Sequence, residues 1–198
     1  MEQAKQFSKL VLEQDKTTTI KYVSYVFIVI IIFGILAYTI KKMNLNTVNC
    51  DNLKRIYTSF PRISSVNFND DAYSYNLRDY YVKTAYNCCC SGQFKNDYVN
   101  ECALKTCISQ GARVLDFEIY SIDDEPVIAT SSIDDYHVKE TYNFVNFSDA
   151  MNIVNNYAFS DGSCPNSNDP LILHFRIRSN NEKMYTKMAD IIYTNLEN

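Results

Sequence analysis

Two carboxylates in the stretch GARVLDFEIYSIDDEPVIATSS, residues 111–132, have the spacing of a shared site. Asp116 and Glu118 alternate with Leu115, Phe117 and Ile119, so an extended chain puts both acids on one side and the apolar side chains on the other. Carboxylates buried on such a strand need a metal, a cation or a proton beside them. The chemistry open to the pair is therefore metal ligation, proton transfer or ion pairing.

The remaining reactive side chains are few. There are two histidines, His137 in DDYHVKE and His174 in LILHFRIRS. His174 lies two residues before Arg176, which places both on one strand face. A single histidine on a buried strand is more often a hydrogen-bonded core residue than a catalyst. The seven cysteines are Cys50, the run Cys88-Cys89-Cys90, Cys102, Cys107 and Cys164. No CxxC pairs with a second CxxC or with a histidine cluster, which argues against structural zinc. Cys102 and Cys107 fall on the apolar side of an expected helix and read as small core residues. Seven is odd, so full intramolecular pairing is excluded, and spacing does not select among the disulfides open to the rest.

Several elements must position these groups. DYYVKTAY reads as a strand. NDYVNECALKTCISQG reads as a helix capped by Asn96 or Asp97, with Gly111 after its end. RVLDFEIYS and PVIATSS read as strands either side of the acidic turn IDDE at 122–125. Ser148 can cap a helix carrying Met151, Val154 and Ala158. DPLILHFRIRS reads as a strand buried on both faces. The spacing Ser179-x-x-Glu182 is a capping box for a last helix with Met184, Met188, Ile191 and Ile192 inward. The order β-α-β-β-α-β-α predicts an α/β fold around a parallel sheet, open or closed as a barrel. With four strands visible, the expectation is a partial barrel, completed by residues outside this chain or by a second chain; the first is favoured.

Composition frames this reading. The chain has 198 residues, 46% of them hydrophobic, with a net charge of −4. That composition supports a packed core, and its charge gives no reason to propose nucleic acid as a partner. Residues 22–40, YVSYVFIVIIIFGILAYTI, contain no charge and are long enough to span a bilayer as one helix. Retention as an anchor is favoured over a cleaved leader, because the flank at 1–21 is long and mixed in charge and no small-residue cleavage site follows. Residues 41–78 read as a connector. Lysines balance across the helix, so charge does not orient it. All seven cysteines and the sequon Asn146-Phe147-Ser148 follow the helix, which leans towards a lumenal or extracellular position for the C-terminal part.

Residues 79–198 resemble the X region of phosphatidylinositol-specific phospholipase C, the first half of that family's distorted TIM barrel. YYVKTAYNCC resembles its first strand, which in the family ends in a Ser-His-Asn turn. ISQGARVLDFEIYS resembles the helix end and second strand, with Gly-x-Arg and then Glu-x-Asp in the family. PVIATSS resembles the third strand, which leads to a second histidine, and DPLILHFRI the fourth, which bears a glutamate. The chain looks most like the divergent forms carried by large DNA viruses. The resemblance implies a PLC-like phosphodiesterase fold, phosphoric diester hydrolysis, membrane lipids with phosphoinositide or other phosphodiester headgroups as partners, and calcium as cofactor.

Carried over residue by residue, the resemblance argues against simple catalysis. Tyr86 and Ser132 stand where the family has its two histidines. Asn87, Asp116 and Glu118 match calcium-ligand positions, and Arg176 stands at the fourth. Tyrosine is a poor base at neutral pH, serine cannot carry protons as imidazole does, and arginine repels a doubly charged cation. The expectation is that Asp116 and Glu118 face Arg176 in an ion-pair network. Some bacterial relatives place an arginine where the metal sits, so Arg176 as internal cation, with His137 swung over from its loop, is the alternative. A degenerate lipid-facing domain, a rebuilt phosphodiesterase and a membrane structural or assembly protein all remain open, since fold does not fix function.

Overall fold

The computed structural model describes residues 2–67, 69, 70, 73, 75–133 and 138–196. His137 lies outside the described residues. The chain divides into two units, Met1–Asn44 and Leu45–Asn198.

The first unit is a single helix, α1 (Glu2–Met43). Its segment Thr18–Met43 is long and apolar enough to cross a membrane, with a mean hydropathy of 2.6. The hydroxyls of Ser24 and Thr39 donate to the carbonyls of Ile20 and Ile35, one turn back. They thus satisfy themselves within the helix. Residues 2–21 of the flank continue the same helix.

The second unit is mixed α/β. In chain order it comprises α2 (Leu45–Tyr57), β1 (Thr84–Ala85), α3 (Glu101–Ser109), β2 (Val114–Ile122), β3 (Glu125–Ile128), β4 (Val145–Asn146), α4 (Phe147–Ala158), β5 (Ile172–Ile177) and α5 (Glu182–Leu196). The stretch read as connector thus carries a helix. A disulfide between Cys50 on α2 and Cys102 on α3 joins it to the rest, with Cα atoms 6.0 Å apart. Cys102 is therefore a cross-link and not a free core residue.

The sheet is mixed, which corrects the all-parallel expectation. β2 runs parallel to β1 and to β5, but antiparallel to β3, and β3 antiparallel to β4. The reason lies in the turn. Asp123 and Asp124 both take positive φ, 52° and 65°, the geometry of a two-residue hairpin loop whose twist matches its strands. Aspartate tolerates that region better than most residues. β5 pairs with β2 from Val114↔Ile172 to Ile119↔Ile177 and so occupies one edge of β2. β1 and β3 share the other edge, one beside each end of the strand.

Alternation along β2 decides what each face does. Leu115, Phe117 and Ile119 pack with Leu104 and Ile108 of α3, Met151 and Val154 of α4, and Met184 and Met188 of α5 in one buried core. Phe175 of β5 joins it, its ring 5.4 Å from that of Phe147 and 5.9 Å from that of Phe117. Helices thus cover one face, and the opposite face carries Asp116 and Glu118. β5 is not buried on both faces: its residues are half-buried or exposed, because among the described residues it pairs only with β2.

Three helix starts differ from expectation. Asn100 caps α3, accepting from the Cys102 backbone N–H, so Asn96 and Asp97 lie outside the helix. Asn146 holds the N-cap position of α4, which leaves Ser148 in the first turn. Asn181 accepts from the Lys183 N–H at the start of α5, while the Ser179 hydroxyl accepts from Asn181. Gly111 follows α3 with φ +79°, and a Cβ there would meet the Ile63 carbonyl at 3.0 Å, so glycine is required. The buried Arg113 guanidinium donates to the carbonyls of Pro170, Ala158 and Asp169. It thereby ties the end of α4 to the approach to β5.

Candidate functional site

The parallel register of β2 and β5 sets the site's geometry. Asp116 lies opposite His174, and Glu118 opposite Arg176. Both strands have period two, so these four side chains rise from the same face, and Tyr120 and Arg178 extend each row.

Arg176 is the hub. Its Nε lies 3.1 Å from Asp116 Oδ2 and its Nη2 2.9 Å from Oδ1. Its Nη1 donates to Glu118 Oε2 at 3.1 Å, and Nη2 also donates to Asn87 Oδ1 at 2.6 Å. The Tyr86 ring covers the guanidinium, with Cζ 4.5 Å from the ring centroid, within cation–π range. Tyr86 is itself exposed and meets Phe94 edge-on.

Asn87 reaches this point because it adopts φ 47°, a region asparagine enters more readily than most residues. Its backbone N–H donates to Asp116 Oδ1 at 3.0 Å, and the next N–H, of Cys88, donates to the Asp116 carbonyl. Its side-chain carbonyl must face Arg176, which leaves Nδ2 buried without a partner. On the far side of the hub, the Tyr120 hydroxyl donates to Glu118 Oε1 at 2.8 Å, and Arg178 Nε lies 3.4 Å from the same oxygen.

Two buried carboxylates therefore meet two guanidinium groups, and the formal charges cancel. Burial alone would raise the Asp116 carboxyl. The hydrogen bonds from Arg176, the Asn87 backbone and His174 outweigh it and hold the group below its ordinary value. Burial likewise works against the Arg176 cation, but its bond to Asp116 prevails and raises its pKa. Burial and the bond to Glu118 push the Tyr120 hydroxyl up, so it stays a neutral donor.

The calcium-ligand set implied by resemblance does not fit this arrangement. Asn87 Oδ1, Asp116 and Glu118 all point their oxygens at Arg176, and a divalent cation would have to displace a guanidinium that already neutralises them. Ser132, where the resemblance implies a second histidine, is engaged by Glu140: its backbone N–H and hydroxyl donate to Glu140 Oε2 at 2.6 and 2.5 Å. These bonds lower the Glu140 carboxyl and tie it to Ser132.

His174 joins the cluster although its sequence position favoured a core role. Its Nδ1 lies 2.6 Å from Asp116 Oδ2 while 61% of its side chain is exposed. Arg178 and Tyr120 were missed as members. Both were legible in the i, i+2 spacing of His174-x-Arg176-x-Arg178 and Asp116-x-Glu118-x-Tyr120, once the strands are paired in register.

No family model matches the chain, and no curated protein does. Among solved structures it is similar to the crystal structure of L. pealei PLC21, at 20% identity and a TM-score of 0.49. The match covers 60% of this chain, and the chain spans 14% of that one's length.

Proposed function

We propose that the chain is a membrane-anchored domain of the phospholipase C X-region type, whose metal seat is filled by Arg176 and which no longer hydrolyses phosphodiesters. It presents a degenerate site to membrane lipids with phosphodiester headgroups, as a binding or assembly surface. One observation carries this reading. Nε and Nη2 of Arg176 are fully committed to Asp116 and Asn87, Nη1 donates to Glu118, and a tyrosine ring lies over its face. A cation so engaged has little left to stabilise charge on a substrate phosphate, and Tyr86 stands where proton transfer needs imidazole. The sequence likeness of residues 79–198 to the X region supports the family in this reading, and the apolar span in α1 supports the anchor.

A second reading is favoured by His174. An exposed imidazole oriented by a buried carboxylate at 2.6 Å is an arrangement that supports general acid–base work, with Arg176 as the fixed internal cation. Turnover by the full chain in lipid nanodiscs, on phosphatidylinositol and glycerophosphodiesters with and without calcium, separates the two. Absence of turnover from folded protein supports the degenerate site. Calcium-independent turnover lost in His174→Ala establishes the rebuilt one.

A further inference from the structure

The sequon Asn146-Phe147-Ser148 is the one Asn-x-Ser/Thr in the sequence, and the fold treats its three residues differently. Phe147 is fully buried against Phe175, while Asn146 and Ser148 are both exposed. The segment passes from β4 into α4, so a core anchor sits between two outward-facing polar groups. Asn146 occupies the N-cap position without a side-chain cap bond. Its Nδ2 instead donates to Asp149 Oδ2 at 2.8 Å, using one of its two hydrogens. It lies on the rim of an open cleft of about 720 Å³, lined also by Lys54, Asn100, Lys105 and Tyr157. There is room for a substituent, and the second amide hydrogen is the one it would replace.

A second observation concerns the compartment. Cys50 and Cys102 are joined across 52 residues, and such bonds persist where the surroundings are oxidising. The unpaired thiols of Cys88, Cys89 and Cys164 are buried. Burial raises the Cys88 thiol and pushes the half-buried Cys107 up to about 11, so these two stay protonated and resist exchange. The cross-link and the sequon belong to the same unit, and both are explained by one location for it.

We propose that Asn146 is a site of N-linked glycosylation and that residues 45–198 lie on the lumenal or extracellular side of the membrane; the sidedness rests on the anchor in the reading above. The donor is an oligosaccharide linked to a lipid diphosphate. The Asn146 amide nitrogen forms a bond to C1 of the first sugar, and the C1–oxygen bond to the diphosphate breaks. The diphosphate leaves with that electron pair, and the amide proton passes to a base. No electrons are exchanged with an outside oxidant. Transfer occurs on the extended chain, and folding then leaves the substituent outside because Phe147, not Asn146, enters the core.

The test is expression of the full chain in a cell that performs N-glycosylation, followed by peptide-N-glycosidase treatment and electrophoresis. One mobility step is expected in the wild-type chain, retained in Ser148→Thr and lost in Ser148→Ala and Asn146→Gln. In the Ser148→Ala background, Gln6→Asn creates a sequon with Phe7 and Ser8 before the span and is expected to stay unmodified. Modification at residue 6, or no step in a wild-type chain that resists carbonate extraction, overturns the proposal. Release of a glycosylated chain by carbonate removes the anchor and leaves the Asn146 assignment standing.

Discussion

His174 Nδ1 lies 2.6 Å from Asp116 Oδ2, across the one rung of the β2–β5 pairing that also directs Asp116 towards Arg176. The imidazole and the guanidinium thus share one carboxylate from opposite solvent regimes, the ring largely exposed and the guanidinium largely covered. Glu118 repeats the pattern one rung on, between Arg176 and Arg178. The polar face is a ladder of alternating charge, and its stability depends on keeping every charge paired.

Removal of the hub leaves two buried carboxylates without their main partner. Arg176→Ala is expected to cost about 3–5 kcal/mol, the usual penalty for breaking a buried ion pair. Arg176→Lys recovers only part of it, since a point charge cannot reach Asp116, Glu118 and Asn87 at once. Urea denaturation of the chain in detergent reads both.

The pH dependence follows from Asp116. Its folded pKa lies below the ordinary 3.8, so folding favours the ionised form. This contribution is complete above the unfolded value of about 4 and is lost as pH falls through the depressed folded value. Melting temperatures across that acid range should fall more steeply for the wild type than for Asp116→Asn.

Tyr86 acts through its ring. Tyr86→Phe keeps a face over Arg176 and should leave stability within about 0.5 kcal/mol, whereas Tyr86→Ala should lose about 1 kcal/mol. Thermal melts of the two variants side by side check this. A large effect of Tyr86→Phe alone would instead point to the hydroxyl.

The Cys50–Cys102 bond constrains the unfolded chain. Paired substitution by serine should lower stability by about 2–4 kcal/mol. Non-reducing electrophoresis of the wild type should show a mobility difference that the paired variant lacks.

Much of this was legible in strand periodicity. The alternation around Asp116 and Glu118 located β2 and its polar face, and the methionine spacing located the inner side of α5. What escaped were choices made by neighbours. Asp123-Asp124 forms a reversing turn, but that depends on which strand waits beside it. Asn100 outcompetes Asn96 as a cap because α3 begins later than its apolar pattern suggests. β5 looked doubly buried because its sequence is apolar, yet burial depends on what pairs with its second edge. Cys50 found Cys102 only through the placement of α2, for which spacing holds no signal.

The most direct test of the central claim, that a guanidinium occupies the seat of a metal, is the calcium dependence of melting in the full chain and in Arg176→Glu. That substitution puts a carboxylate where the resemblance to the X region implies a fourth ligand. The wild type is expected to melt at one temperature with or without calcium. Arg176→Glu should melt lower in chelator and regain stability as calcium is added, because four oxygen donors would then converge without a competing cation. Saturable stabilisation of the wild type by calcium would contradict the account, as would an Arg176→Glu protein as stable in chelator as the wild type.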